Sequence, residues 1–186
     1  MATNGTVSNV TASKPAIGGA IYRAPLGSTL PTSATATLGD AFTPLGYIAE
    51  DGLTNSDSRD SESVKAWGGD TVLNVLTSRE DTFQFTLYEA LNVEVLKMVY
   101  GDENVTGDLT NGIVINANSS CDTEAAYVVD MILKNNVLKR IVIPDARVSE
   151  VGDISYKDAE ATGYETTLTC MPDSAGNTHY EYIGGN

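Results

Sequence analysis

The spacing of apolar residues along this chain of 186 residues constrains its fold most, because it fits strands almost everywhere and a helix in one place. Residues 82–88 alternate apolar and polar side chains, as a half-buried strand requires. In residues 89–100 the period changes, and apolar residues recur every four positions. This spacing predicts an amphipathic helix that ends at Gly101. We therefore expect an α+β, predominantly β fold with one flanking helix.

Two polar stretches between strand-like runs predict two long hairpins. Residues 54–63 are rich in Asp, Ser and Asn, which favour turns, so we expect a loop or hairpin tip there. The acidic stretch of residues 153–160 predicts a second polar tip. Residues 71–77 carry apolar groups at both alternating positions, which predicts a strand covered on each face. Asn135 and Asn136 separate two apolar runs and predict a tight turn.

The N-terminal part of the chain differs in composition from the rest. Residues 1–38 are rich in Thr, Ser, Ala and Gly and contain prolines that exclude a long helix. We expect a flexible N-terminal arm in which residues 19–24 form one short strand. Residues 39–186 are expected to form a single domain.

The charge of the chain excludes one large class of function. Eleven Lys and Arg residues face 25 Asp and Glu residues, which gives a formal net charge of −14. A groove that binds nucleic acid through its phosphates is not expected from such a balance. No run of about 18 apolar residues occurs, and the start of the chain lacks the pattern of a signal peptide. We expect a protein made in the cytoplasm, with no membrane contact.

Residue types that carry chemistry are sparse. His179 is the only histidine, and no nucleophile motif accompanies it, so we expect an exposed side chain and no enzyme. Cys121 and Cys170 lack metal-ligand spacing and are expected to be reduced, partly buried thiols, with a disulfide as the alternative. The oxygen-bearing side chains of residues 51–60 could bind Ca²⁺, but their spacing does not match an EF-hand and favours a solvated loop. We expect no metal and no cofactor.

Four segments in order resemble one family. Residues 45–53 (LGYIAEDGL) and 64–70 (VKAWGGD) resemble segments of the major tail tube proteins of long-tailed bacteriophages, especially those of actinobacterial and other Gram-positive hosts. Residues 83–101 look like the strand-helix unit of that family. Residues 143–153, followed by 164–169, look like its second hairpin.

The resemblance implies a fold and an assembly. It implies a tail-tube β-sandwich or barrel in residues 39–186, with one flanking helix and two long hairpins that join a barrel shared between subunits. It also implies hexameric rings that stack into a hollow tube in the virion tail and conduct genome DNA without binding it specifically. Besides itself, the expected partners are the tape measure, tail terminator and distal tail proteins. The arm would become ordered on a neighbouring subunit or ring.

An acidic channel gives the charge a role, because it repels the phosphates of passing DNA. Ten acidic residues near the hairpins are candidates for this lining: Glu50, Asp51, Asp57, Asp60, Glu62, Glu150, Asp153, Asp158, Glu160 and Glu165. The alternative is that several merely solvate the hairpin tips or contact the next ring. Trp67, Gly68 and Gly69 are candidates for an anchor at the end of the first hairpin, where the indole packs in the domain core or at a subunit contact.

Other functions remain open at this point. The inner tube of a phage-tail-like bacteriocin or injection device would have the same fold and a different cargo. A β-sandwich adhesin or carbohydrate-binding module fits the composition rich in Thr, Gly and Ser, but it would need export. An enzyme would need a pocket with convergent polar groups.

Overall fold

The computed structural model describes residues 5–16 and 19–184. Its strands are β1 (Lys14–Pro15), β2 (Ile21–Pro25), β3 (Thr43–Pro44), β4 (Ile48–Lys65), β5 (Thr71–Leu87), β6 (Val105–Asp108), β7 (Gly112–Ile115), β8 (Glu124–Ile132), β9 (Leu138–Val151), β10 (Tyr164–Cys170) and β11 (Tyr180–Ile183). The helix α1 spans Val93–Tyr100, and single 3-10 turns cover Val7–Asn9, Asp102–Asn104 and Lys134–Asn136. The predominantly β fold with one α-helix is confirmed in the described residues.

Nine of these strands form one antiparallel sheet. Its order is β3-β2-β8-β9-β10-β5-β4, with β1 pairing to β8 and β11 pairing to β9. Strand β9 therefore has β8 along one edge and shares its other edge between β10 and β11. Strands β6 and β7 form a separate small hairpin.

The main core lies between one face of this sheet and α1. The side chain of Asn92 caps the helix by accepting a hydrogen bond from the backbone amide of Glu94, and Gly101 ends the helix with a positive φ of 95°. The helix buries Val95, Leu96, Met98 and Val99. The opposing sheet residues include Phe83, Phe85, Leu87, Ile143 and Leu168. A smaller cluster on the other face of the sheet joins Phe42 to Val128 and Val142.

The prediction of a loop or hairpin tip at residues 54–63 is wrong. Strand β4 runs without a break from Ile48 to Lys65, and the turn lies at residues 66–70. Gly68 and Gly69 adopt φ values of 113° and 98°, which side-chain-bearing residues rarely adopt. The polar composition of residues 54–63 reflects exposure of the strand on both faces, because turns and two-sided exposed strands share the same residue types.

The expectation that residues 71–77 are covered on both faces is not met in the single chain. Val72, Leu73, Val75 and Leu76 are between 45% and 62% exposed. Within the described residues, this half of β5 pairs only with β4, so nothing covers either face.

The second hairpin follows the prediction. Strands β9 and β10 pair antiparallel and are joined by residues 152–163, which include the acidic stretch. Asn135 and Asn136 turn the chain between β8 and β9 with φ near 60°, as the sequence predicts. Pro144 stays within β9, where a change of pairing register with β8 accommodates its missing N–H group.

Part of the expected arm belongs to the sheet. Strand β2 pairs with both β3 and β8, and Ile21 is fully buried. Residues 5–16 are exposed almost throughout and touch the sheet through β1. The parts of the arm at residues 1–4 and 17–18 lie outside the described residues, and the domain boundary at residue 38 stays a prediction.

The two cysteines are free thiols, but they differ in exposure. Cys170 is buried, and burial raises the pKa of its thiol to about 12. Cys121 is exposed, so the expectation of partial burial does not hold for either residue. His179 precedes β11 and is only 18% exposed at its side chain, which contradicts the expectation of an exposed histidine.

Candidate assembly surface

The outer hairpin consists of residues 54–65 of β4, the turn at 66–70 and residues 71–80 of β5. All of these residues are exposed, and within the described chain its two strands pair only with each other. At about 3.3 Å per residue, each arm extends about 35 Å from the sheet. A two-stranded hairpin is marginally stable by itself, so this surface is one that neighbouring chains would stabilise.

The register of the outer hairpin sorts its side chains onto two faces, because residues directly opposite each other point to the same side. Asn55 lies opposite the fully buried Phe83, which defines a core-side face. The core-side face continues through Asp57, Arg59, Ser61, Ser63, Lys65, Thr71, Asn74, Leu76, Arg79 and Asp81. The other face, here called the open face, carries Ser56, Ser58, Asp60, Glu62, Val64, Leu73, Val75, Ser78, Glu80 and Thr82.

Charges are separated between the two faces of the outer hairpin. Three acidic residues and no basic residue lie on its open face, namely Asp60, Glu62 and Glu80. The exposed core-side face instead carries Arg59, Lys65 and Arg79 against the single carboxylate of Asp57. The formal charge is therefore −3 on the open face and +2 on the exposed core-side face.

Asp57 forms ion pairs with both arginines of the core-side face. Its carboxylate accepts hydrogen bonds from Arg59 of the same strand and from Arg79 of β5, where the Nε–Oδ1 distance is 3.0 Å. Hydrogen bonds from Arg59 and then Arg79 lower the pKa of Asp57 well below its usual range. Asp57 therefore stays charged, but the two guanidinium groups neutralise it.

The open face continues from the outer hairpin across the sheet. Its side chains on β5, β10 and β9 are mostly hydroxyl-bearing or acidic. Gln84 donates a hydrogen bond to Glu165 at 2.7 Å, and Thr169 donates one to Ser149 at 2.9 Å. Opposite Thr169, Arg147 is the basic residue of this part of the face, and it pairs with Asp122 at 3.3 Å. The result is an uncovered polar surface on which the free charges are negative.

A buried polar cluster fixes the root of the outer hairpin. Asp81 is 1% exposed and accepts hydrogen bonds from Asn55 at 2.7 Å and from Thr178. Its carboxylate also lies 2.6 Å from Nδ1 of His179, whose ring contacts Phe83 edge to face at 5.3 Å. The cluster connects both strands of the hairpin to the segment before β11, so it sets the direction in which the hairpin leaves the sheet.

The Asp81 cluster predicts an acid-sensitive contribution to stability. Although burial opposes ionisation, hydrogen bonds from Thr178, Asn55 and His179 lower the pKa of Asp81 below its usual value. Because the pKa of Asp81 is lower in the folded chain than in the unfolded chain, ionised Asp81 stabilises the fold at pH values above its ordinary pKa near 4. This stabilisation is lost as the pH falls through the folded-state pKa. We expect Asp81→Asn to lower the free energy of unfolding at pH 7 by about 1 to 3 kcal/mol.

Urea unfolding at pH 7 and pH 3 tests this prediction. The wild-type protein should lose more stability between the two values than Asp81→Asn does. Asp153→Asn, at an exposed site in the loop between β9 and β10, should behave like the wild type. Equal acid losses in the wild type and Asp81→Asn would contradict the role of Asp81.

The structure distributes the ten predicted channel residues over four places, and all ten are exposed. Asp60, Glu62, Glu150 and Glu165 share the open face. Asp57 lies on the core-side face with its two arginines. Glu50 and Asp51 lie near the start of β4, and Asp153, Asp158 and Glu160 lie in the loop between β9 and β10, where Glu160 pairs with Lys157 at 2.7 Å.

The turn at residues 66–70 forms the tip of the outer hairpin. The amide of Ala66 donates to the carbonyl of Asp70 at 2.7 Å, and the amide of Gly69 donates to Ala66 at 3.0 Å. Trp67 is fully exposed, which excludes the expectation that its indole packs in the core of its own chain. The subunit contact remains as a prediction for Trp67, Gly68 and Gly69.

Sequence reasoning missed Glu80 and Asp81. Glu80 lies on the open face together with Asp60. This shared face follows from the register between β4 and β5, and the register can be worked out only when the turn is placed correctly. Asp81 follows Glu80 in a polar run, and no local pattern marks it as buried. An alternation count extended backwards from Phe83 places Asp81 on the core-side face and would have been the available signal.

Two further observations limit the site. Within residues 5–16 and 19–184, no group of three or more His, Cys, Asp and Glu side chains is arranged to hold a metal ion. No helix that the structure describes is both long and apolar enough to cross a membrane.

An exposed hairpin with apolar side chains and an uncovered sheet face are typical of structural proteins that pack against other chains. Comparison with family models agrees with this class: the model of the phage tail tube protein family matches residues 6–186. The chain belongs to the phage tail tube protein family, and its role is that of a structural component of the tail tube. The family resemblance is thereby confirmed, whereas the type of host stays a prediction. No match was found among curated proteins.

Proposed function

We propose that this protein assembles into hexameric rings that stack into the hollow tail tube and form the conduit for genome delivery. The rings use the outer hairpin and the hairpin of β9 and β10 to build a barrel shared between subunits. Pairing between neighbouring hairpins covers the strand edges that a single chain leaves exposed. The tape measure protein, the tail terminator and distal tail proteins are the partners along and at the ends of the tube, and synthesis takes place in the host cytoplasm.

The separation of charge between the two faces of the hairpin carries this proposal. The open face lines the channel, and its acidic residues repel the phosphates of DNA, so the genome slides without binding. Of the predicted channel residues, Asp60, Glu62, Glu150 and Glu165 are the main contributors, and Glu80 joins them. Asp57 contributes little, because Arg59 and Arg79 neutralise it.

Negative-stain electron microscopy of the concentrated protein tests the assembly. We expect hollow tubes of uniform diameter and sixfold class averages of single rings. Rings of another symmetry would contradict the hexamer. Dispersed monomers at every concentration would contradict self-assembly and would favour the adhesin alternative, against which family membership already argues.

Charge reversal on the open face tests the channel lining. The double variant Asp60→Lys/Glu62→Lys should form tubes that retain short duplex DNA at low salt and release it as the salt concentration rises. A matched variant, Asp40→Lys/Glu103→Lys, changes the net charge equally at exposed sites outside the open face. Equal DNA retention by both sets of tubes would contradict the assignment of the open face to the channel.

A further inference from the structure

The tip of the outer hairpin combines features of a docking element. Trp67 is the only tryptophan of the chain and is fully exposed. Lys65 lies two residues before it on the core-side face, and no carboxylate of the described residues pairs with this ammonium group. A large exposed aromatic side chain is typical of the anchor residues of protein interfaces, and an ammonium group near it can add a complementary charge.

A groove lies at the opposite end of the same strand. This root groove has a volume of about 380 Å³. Its lining includes the apolar residues Ile48, Leu53, Val129 and Met131 and the exposed acidic residues Glu50 and Asp51. The groove therefore offers apolar contact and negative charge together.

We propose that the hairpin tip of one subunit docks in the root groove of a second copy of this chain, with Trp67 on the apolar lining and Lys65 near Glu50 and Asp51. Each chain has a net charge of −14, so two copies repel each other unless local charges are complementary at their contact. The tip and the groove supply such complementarity. This inference rests on the proposed self-assembly and names one contact within it.

Geometry makes the contact intermolecular. Residues 51 and 65 are separated by 14 positions of one continuous strand, or about 45 Å. The tip of a chain therefore cannot reach its own groove. Because two different surfaces of the same chain meet, the contact is head to tail, and such contacts generate closed rings or extended stacks.

The fluorescence of Trp67 tests the proposal directly, because no other tryptophan contributes. On assembly, the emission should shift to shorter wavelength and acrylamide should quench it less. Trp67→Ala should raise the critical concentration for tube formation about tenfold or more, while its unfolding transition in urea stays that of the wild type. Trp67→Phe should restore part of the loss, because a smaller aromatic ring still fills the groove.

Charge exchange and cross-linking identify the groove. Lys65→Glu should raise the critical concentration by up to about fivefold, and adding Asp51→Lys should reverse much of that change. In a Cys121→Ser background, Asp70→Cys with Asp51→Cys should give disulfide-linked multimers on oxidation of the assembled tubes. The matched pair Asp70→Cys with Leu91→Cys places the second thiol on another exposed apolar patch, formed by Tyr88, Leu91 and Leu109.

The outcomes separate this contact from the proposed function. If the unmodified protein forms no tubes, the proposed function and this inference both fail. If tubes form but acrylamide quenches Trp67 fluorescence as strongly as it does in the free subunit, only the docking contact is overturned. The same holds if Trp67→Ala assembles like the wild type. Cross-linking through position 91 and not through position 51 would also overturn it.

Discussion

We expect Phe83→Ala to lower the free energy of unfolding of the single chain by about 3 to 5 kcal/mol. Phe83 is fully buried in the main core, and its ring contacts His179 edge to face. Truncation would leave a cavity between β5 and the residues packed on it, and it would remove the aromatic contact as well. Urea unfolding followed by far-UV circular dichroism measures the loss.

Leu73→Ala is the matched control, because it removes an apolar side chain from the same strand. Leu73 is 54% exposed on the outer hairpin, so its truncation should change the free energy of unfolding by less than about 0.5 kcal/mol. Equal losses of stability in the two variants would show that the outer hairpin contributes to the fold of the single chain.

We expect Arg140→Met to cost about 3 to 5 kcal/mol of unfolding free energy. Arg140 is 6% exposed, and its Nε and Nη2 atoms bind the two carboxylate oxygens of Asp130 at 2.6 and 2.8 Å. Its Nη1 also donates to the carbonyls of Ser33 and Ala36. The substitution would leave the Asp130 carboxylate without its partner and detach residues 33–36 from the sheet.

A double variant tests this explanation. Arg140→Met with Asp130→Leu removes both charges, and it should recover a large part of the stability because no unpaired carboxylate remains. Urea unfolding of the single and double variants measures the recovery. Failure of the double variant to improve on Arg140→Met would indicate that the contacts with Ser33 and Ala36, and not the ion pair, carry the effect.

Local patterns predicted the elements whose determinants are close in sequence. The helix followed from its four-residue spacing and from the glycine after it, and the Asn135-Asn136 turn followed from the tolerance of asparagine for positive φ. The outer hairpin could not be read in this way. A strand exposed on both faces lacks alternation, so residues 54–63 have the composition of a turn. The glycines of the true turn, Gly68 and Gly69, are predicted only as part of an anchor at the end of the hairpin.

The candidate surface was predictable in its chemistry and not in its geometry. The excess of acidic residues predicts a surface that repels DNA, which stays a prediction, and all ten candidates are exposed. Which of them share a face depends on the register between β4 and β5, and an error in the position of the turn changes every cross-strand pair. For this reason Asp57 was grouped with Asp60, although the two side chains lie on opposite faces and only Asp57 is neutralised by arginines.

The isolation of the outer hairpin has a consequence for the kinetics of tube growth. In a free subunit, the conformational entropy lost by ordering about 25 exposed residues is offset by few contacts beyond the hairpin itself. In the proposed assembly, the first subunits to associate would bear this loss together, whereas a subunit that joins a finished ring would meet a complete template. Nucleation would then be slow and elongation fast, so the concentrated protein should form tubes only after a lag, which preformed tube fragments should shorten.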